Sequence, residues 1–338
     1  MKHGLGTAVN SSAIAASVIV AALLLSSPAY SFGTVRGNGQ NAEHARITRH
    51  ALTCAEASDP NTCFQPDTLD NLAGIHGTFG SVGAPDRGRL NFESTAHCSA
   101  GDYFDAPDYP QSQEKAREIL SGCRDHMLFH LDEAVRDARD LLDGNGAIRG
   151  SQIPTRVNCT FAGSKNGRAK CNVIAHFGYL LHTAQDFYSH TNWVDRADPS
   201  RPESPDNPPG LGNTGAAPWL DLRQRQAVFP QGLISGCFEP GSFISEEEHC
   251  VYGASKEYSR VRHLHLNKDF GTIDPEIGTG TTERGALQGN FRRAVEAAIA
   301  DTTDKWATLR ERLLETYGTV NGSRMICAIA RDNPTRDC

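Results

Sequence analysis

Beyond its first 31 residues the chain lacks four things: an apolar run of membrane-spanning length, a run of basic residues, a segment alternating apolar and polar over strand length, and an internal repeat. The first absence excludes further membrane spans, which need about 20 apolar residues. The second, with a net charge of −7, leaves no electrostatic footprint for nucleic acid. An acidic, carboxylate-rich chain suits hard cations and zinc instead. The third argues against a sheet protein, and the fourth sets aside solenoids and propellers.

What is present begins with "MKHGLGTAVNSSAIAASVIVAALLLSSPAYSFG", where Lys2 precedes an apolar run, Ala13 to Leu25, and the small residues Ala29 and Ser31. This pattern predicts a secretory signal peptide over residues 1–31, cleaved before Phe32. The run is too short to span a bilayer comfortably, and a retained signal anchor is the alternative. Residues 32–338 suffice for one domain with a large core. All ten cysteines lie in that part. An even number in an exported chain points to disulfides rather than thiolate metal ligands. Sequence does not fix the connectivity; the local set Cys54/Cys63, Cys98/Cys123, Cys159/Cys171, Cys237/Cys250 and Cys327/Cys338 is expected.

Along the chain, a helix is predicted from near His44, with Ile47, Ala51 and Ala55 in register, and residues 63–110 read as long ordered loop. Residues 112–142 carry an amphipathic stripe of Leu120, Met127, Leu131, Ala134, Ala138 and Leu141, with a break expected near Gly122. A helix over about 170–192 is apolar on most sides and should be central. Six prolines within 196–218 predict a loop, lid-like in position, and a last helix is expected over 284–317, ending at Gly318. The fold class is all-α, with long loops clipped by disulfides.

Within the central helix, "LLHTAQDFYSHTNW" sets His182, Asp186 and His190 four residues apart. Four-residue steps turn side chains by only about 40° and raise them about 6 Å, so all three share one face. His182 and Asp186 are close enough to share a metal, whereas His190 is better placed for a second ion, given bonds of roughly 2.0 to 2.2 Å. The structural alternative is a set of hydrogen-bonded core histidines. A second pair, His126 and His130 in "DHMLFHLDEA", reads as the surface and flank of one helix.

The segment "HFGYLLHTAQDFYSHTNWVD" resembles the central helix of Het-C-type proteins, which in turn resemble the zinc-dependent phospholipase C and P1 nuclease superfamily. "FGTVRGNGQNAEHARIT", "SGCF" at 235–238, "LNKD" at 266–269 and the Ala-rich helix after 290 look like Het-C-type features in the same order. The resemblance implies a multi-helix bundle holding two to three zinc ions. It implies that Asp186 bridges two of them, that His182 shares its metal, that His190 binds the third, and that Phe32 contributes its amine and carbonyl beside His44. It also implies Asp86 and His97, from "APDRGRLNFESTAHC", as the next pair, and His265 and Asp269, from "RHLHLNKDFG", as the last, with His249 and His263 as alternatives to His265. The phospholipases leave a longer interval after the bridging Asp, whereas Asp186 and His190 are spaced as in Het-C-type chains.

Paired zinc ions in such sites activate water and clamp phosphoryl oxygens, with Asp86 the candidate to orient or deprotonate the attacking water. The expected function is a secreted zinc-dependent phosphoesterase acting on a phosphodiester or phospholipid, with phospholipase C-type hydrolysis favoured over nuclease action and contact with a membrane surface. Its rival is a noncatalytic secreted Het-C-like interaction protein with a structural metal site.

Overall fold

The computed structural model describes Met1 and residues 32–338 apart from 35, 38, 39, 56–58, 60, 76, 77, 88, 156–158, 162–166, 239–245 and 274–277. The expected leader and its cleavage site lie outside the described residues. The helices are α1 (Glu43–Leu52), α2 (Pro66–Ala73), α3 (Gln113–Ala138), α4 (Ala169–His190), α5 (Glu246–His249), α6 (Glu283–Ala286), α7 (Asn290–Ala330) and α8 (Pro334–Asp337). Among the described residues, strand structure amounts to two short antiparallel pairs, Arg36–Gly37 with Gln40–Asn41 and Val251–Tyr252 with Tyr258–Ser259. No helix among them is long and apolar enough to cross a membrane.

The centre of the molecule is α4. Its apolar residues recur on every side, so it can be stable only when surrounded, and nearly all of its side chains are buried. It packs between α3 and α7, with α2 against its N-terminal end, where Lys170 meets Thr68, and α1 against its C-terminal half, where His44 meets Asp186. Phe177 of α4, Phe64 before α2 and Trp306 of α7 pack together, with Phe64 and Trp306 ring centroids 4.6 Å apart. Aromatic groups of this size bury more apolar area than any other side chains and dominate core energetics.

Three expectations are corrected. Helix α3 runs unbroken through Gly122, where a Cβ would stand 3.1 Å from the Thr95 methyl; the glycine admits a close approach rather than ending the helix. The stretch read as long loop contains α2, whose first-turn amides are capped by Asp332: its carboxylate accepts from Asp67 N at 3.1 Å and Thr68 N at 2.8 Å. The final helix breaks at Gly318 (φ 75°, ψ 166°) but resumes through Ala330. The chain doubles back there, so a Cβ on Gly322 would stand 2.8 Å from the Leu313 carbonyl oxygen. Residues 196–218 form a loop as expected, stapled by Asn207, whose amide nitrogen donates to the carbonyls of Asp198, Arg201 and Pro202.

All five neighbouring cysteine pairs are bridged. Cys98–Cys123 matters most for the site, because it fastens the turn carrying His97 to α3.

Candidate metal centre

The C-terminal half of α4 presents His182, Asp186 and His190 on one buried face. Three other segments bring side chains to it: α1 supplies His44, the 3₁₀ turn Pro85–Arg87 supplies Asp86, and the turn held by Cys98–Cys123 supplies His97. Around Asp186, His44 Nε2 lies 3.2 Å from Oδ1, while His182 Nε2 and His97 Nδ1 lie 3.1 and 2.9 Å from Oδ2. His182 Nε2 and His97 Nδ1 are 3.1 Å from each other. This triangle has nearly the edge expected for ligand atoms around tetrahedral zinc, roughly 3.3 Å for bonds of roughly 2.0 to 2.1 Å. Asp86 Oδ1 stands 3.5 Å from His182 Nε2 and 3.8 Å from His97 Nδ1.

A second group lies at the end of α4. His190 Nε2 is 3.2 Å from Asp269 Oδ1, and His263 Nε2 is 3.6 Å from Asp269 Oδ2. Asp269 is fixed by Ser189, whose hydroxyl donates to Oδ1 at 2.5 Å, and by its neighbour Lys268, a buried ammonium that donates to Thr191 O and pairs with Asp195. Arg284 also pairs with Asp195, so one carboxylate is shared by two buried cations.

The rear nitrogens decide what these groups can hold. His182 Nδ1 donates to Val82 O at 2.8 Å, and His190 Nδ1 donates to His97 O at 2.6 Å. His44 Nδ1 donates at 2.7 Å to the Oε1 of Gln185, whose amide nitrogen is committed to the hydroxyls of Thr48 and Thr302. A neutral imidazole carries one N–H, so with the rear nitrogen donating, the front nitrogen is a lone pair. In that neutral form all three front nitrogens aim lone pairs at carboxylates in a buried site. Such an arrangement is repulsive unless a proton or a metal cation lies between, and a carbonyl behind a histidine is the usual support for a metal ligand. His97 differs in that its Nδ1 faces Asp186, while its buried Nε2 has no hydrogen-bond partner among the described residues.

The same tension shows in the proton affinities of these groups. Burial opposes ionisation of Asp186, yet His182, His190 and His44 outweigh it and hold the carboxyl well below the usual range. Burial likewise opposes charge on His190, but Asp186 and Asp269 overcome it and lift the imidazole to about 9. His263 goes the other way, to about 4, through burial and the proximity of His190, against the pull of Asp269. Ligand sets of this composition, imidazole and carboxylate, suit zinc and similar divalent ions.

The structure brings together eight residues in these groups: His44, Asp86, His97, His182 and Asp186 in the first, and His190, His263 and Asp269 in the second. Phe32 is fully buried beside them, its ring 6.0 Å from that of His44. His265 is not among them and is corrected: its Nδ1 donates to Pro205 O of the 196–218 loop at 2.9 Å and its Nε2 faces Arg262 at 3.2 Å, so both nitrogens are engaged away from the cluster. A single 3₁₀ turn over His263–His265 points the two rings apart, and His263 stands where the sequence suggested His265. Cys237, His249 and Cys250 also cluster, but both sulfurs are tied in a disulfide. His130, read as helix flank, is buried with its Nδ1 2.8 Å from His176 Nδ1, because the α3 stripe that faces α4 includes it. Sequence reasoning gave no supporting role to Gln185, Lys268 or Thr34, although each lies within a stretch quoted for the resemblance.

No family model, no curated protein and no solved structure matches the chain.

Proposed function

We propose that the chain is a secreted zinc-dependent phosphodiesterase of the phospholipase C type. The observation that carries this reading is the set of three histidines, His44, His182 and His190, each tied from behind by a carbonyl oxygen and each turning its front nitrogen to a buried carboxylate. The resemblance to Het-C-type and phospholipase C-type chains supplies the reaction class. The expected leader and the five disulfides support secretion.

Under this reading Asp186 would serve two ions. His97, His182 and Asp86 would hold the first, His44 with the amine and carbonyl of a processed Phe32 would hold the second, and His190, His263 and Asp269 would hold the third. When bound, paired zinc ions act as Lewis acids toward phosphoryl oxygens and lower the pKa of water. Asp86 is the least buried of the ligand set, its side chain 13 % exposed, so it marks the side from which substrate reaches the site. Its Oδ1 is turned toward His182 and His97 and would orient the attacking water and accept its proton. Val82, Gln185 and His97 use their oxygens to fix three imidazoles in one tautomer, which keeps the site free of reorganisation during reaction.

One observation favours a rival: apart from Asp86, the ligand side chains are almost completely enclosed, as in a structural metal site of a noncatalytic secreted protein. Metal analysis of the folded, oxidised protein, followed by assays on phosphatidylcholine vesicles, a chromogenic phosphodiester and single-stranded nucleic acid, separates the readings. At least two zinc ions per chain and cleavage of the lipid headgroup are expected. Zinc without cleavage of any substrate favours the structural role, cleavage of nucleic acid alone favours the nuclease, and absence of zinc ends the proposal.

A further inference from the structure

The first cluster has one ligand on a weak mount. His44, His182 and Asp186 stand on helices, and His97 is next to a disulfide, but Asp86 sits on a single 3₁₀ turn at the partly exposed edge of the site. A carboxylate so placed needs a partner to choose which oxygen it turns inward. The tripeptide Phe32–Gly33–Thr34 supplies one. The Thr34 hydroxyl donates to Asp86 Oδ2, leaving Oδ1 as the oxygen that faces His182 and His97.

The tripeptide is itself tied to the rest of the site. Gly33 N donates to Asp269 O and Gly33 O accepts from His44 N, both at 3.3 Å, and Thr34 N donates to Gln40 Oε1 at 3.0 Å. Gly33 has no room for a side chain, since a Cβ would come 2.2 Å from Glu43 Oε2. Gly83 leaves space for the Thr34 methyl: a Cβ there would stand 2.6 Å from Thr34 Cγ2. With the methyl seated on Gly83, the hydroxyl is turned to Asp86. One short strap thus touches the segments carrying His44, Asp86 and Asp269.

We propose that Thr34 is a positioning residue: its hydroxyl orients Asp86 so that the carboxylate completes the cation site formed with His97 and His182. The proposal rests on the metal-centre reading above and adds a residue to it. Partners behind metal ligands are worth about 10- to 100-fold in affinity. Zinc affinity of the full processed chain, measured by competition with a chromogenic chelator, should fall 10- to 100-fold for one ion in Thr34→Val. The ion held by His190, His263 and Asp269 should be unaffected. Thr34→Ser, which keeps the hydroxyl, should restore affinity to within about threefold. In an Asp86→Asn background, which removes the charge being oriented, Thr34→Val should have little further effect. Thr34→Ala, which adds no bulk near Gly83, replaces Thr34→Val if helical circular dichroism shows that variant unfolded. Wild-type affinity in both the Val and Ala variants, or equal losses in Ser and Val, overturns the role of Thr34 while leaving the metal centre standing. A wild-type protein that takes up no zinc overturns both.

Discussion

The two halves of α4 bury charged and polar groups in opposite ways. At the N-terminal end, Lys170 is sealed in the core, yet its ammonium donates to Thr68 Oγ1 at 3.0 Å and to the Arg331 carbonyl, near the carboxylates of Asp332 and Asp67. Donor meets acceptor, and the protein supplies both. At the C-terminal end, the rear nitrogens of His182 and His190 are satisfied by carbonyls, while their front nitrogens face the acceptor oxygens of Asp186 and Asp269. As neutral imidazoles, they set acceptor against acceptor. Burial of a polar group is tolerated when its partner is present, so the first half is closed as it stands and the second is complete only with cations or protons. The difference distinguishes a structural buried charge from a site, and it is sharper than burial or residue type alone.

The largest effect expected from breaking this contrast comes from Asp186→Asn, which keeps size and removes the charge shared by His44, His97 and His182. Two ions should be lost or greatly weakened, and any hydrolytic activity should fall by orders of magnitude, with helical content nearly unchanged. Asp269→Asn should remove only the ion at the end of the helix and leave the pair. Metal analysis of both variants after identical dialysis checks the division. Equal losses in the two would mean that the groups are not separate sites, and unchanged zinc in Asp186→Asn would remove Asp186 from its bridging role.

How much of this was legible in the sequence depends on the range of the cause. The face shared by His182, Asp186 and His190 follows from helical periodicity, and so does the central place of α4, because both are local properties of one segment. The neighbouring disulfides follow from close spacing. Helix α2 was not legible, because its N-terminal cap, Asp332, is contributed from 264 residues away. His263 and His265 are separated by one residue, and only the conformation of a single 3₁₀ turn decides which ring faces Asp269. Nor could Thr34 be seen, since its meaning depends on the space above Gly83 and on the side of Asp86 that it meets.

A smaller effect is expected from the closed half. Burial depresses Lys170 to about 8, against the pull of Asp332 and Asp67. The group therefore holds its proton more weakly in the folded chain than in the unfolded one, so between these two pKa values the unfolded state binds more protons and stability rises with pH. The window runs from about 8 to the ordinary lysine value of 10.5, and the rise amounts to about 3 kcal/mol. Thr68 and Arg331 lose a donor in Lys170→Met, but that loss does not vary with pH. The stability difference between wild type and Lys170→Met, measured by denaturant unfolding, should shift by about 3 kcal/mol in favour of wild type across the window. All ten cysteines are bridged and none is free, so thiol ionisation adds nothing to the comparison. A pH-independent difference would show that Lys170 titrates in the folded chain as it does unfolded. Zinc content should be the same in both proteins, since the change lies in the half that already has its partners.

The smallest effect belongs to His265, and its smallness is the point of the test. His263→Asn should cost the ion shared with His190 and Asp269, because His263 Nε2 is the nitrogen that faces Asp269. His265→Asn should leave zinc content unchanged, because that ring gives Nδ1 to the Pro205 carbonyl and turns Nε2 to Arg262. What His265→Asn removes is an anchor of the 196–218 loop. One such hydrogen bond is worth about 0.5 to 1.5 kcal/mol, and the asparagine amide can take over part of it. The expected result is a loss of about 1 kcal/mol or less in unfolding free energy, with the same number of zinc ions as wild type. If His265→Asn loses an ion and His263→Asn keeps it, the turn over His263–His265 presents its rings the other way, and the last ligand pair reverts to His265 with Asp269.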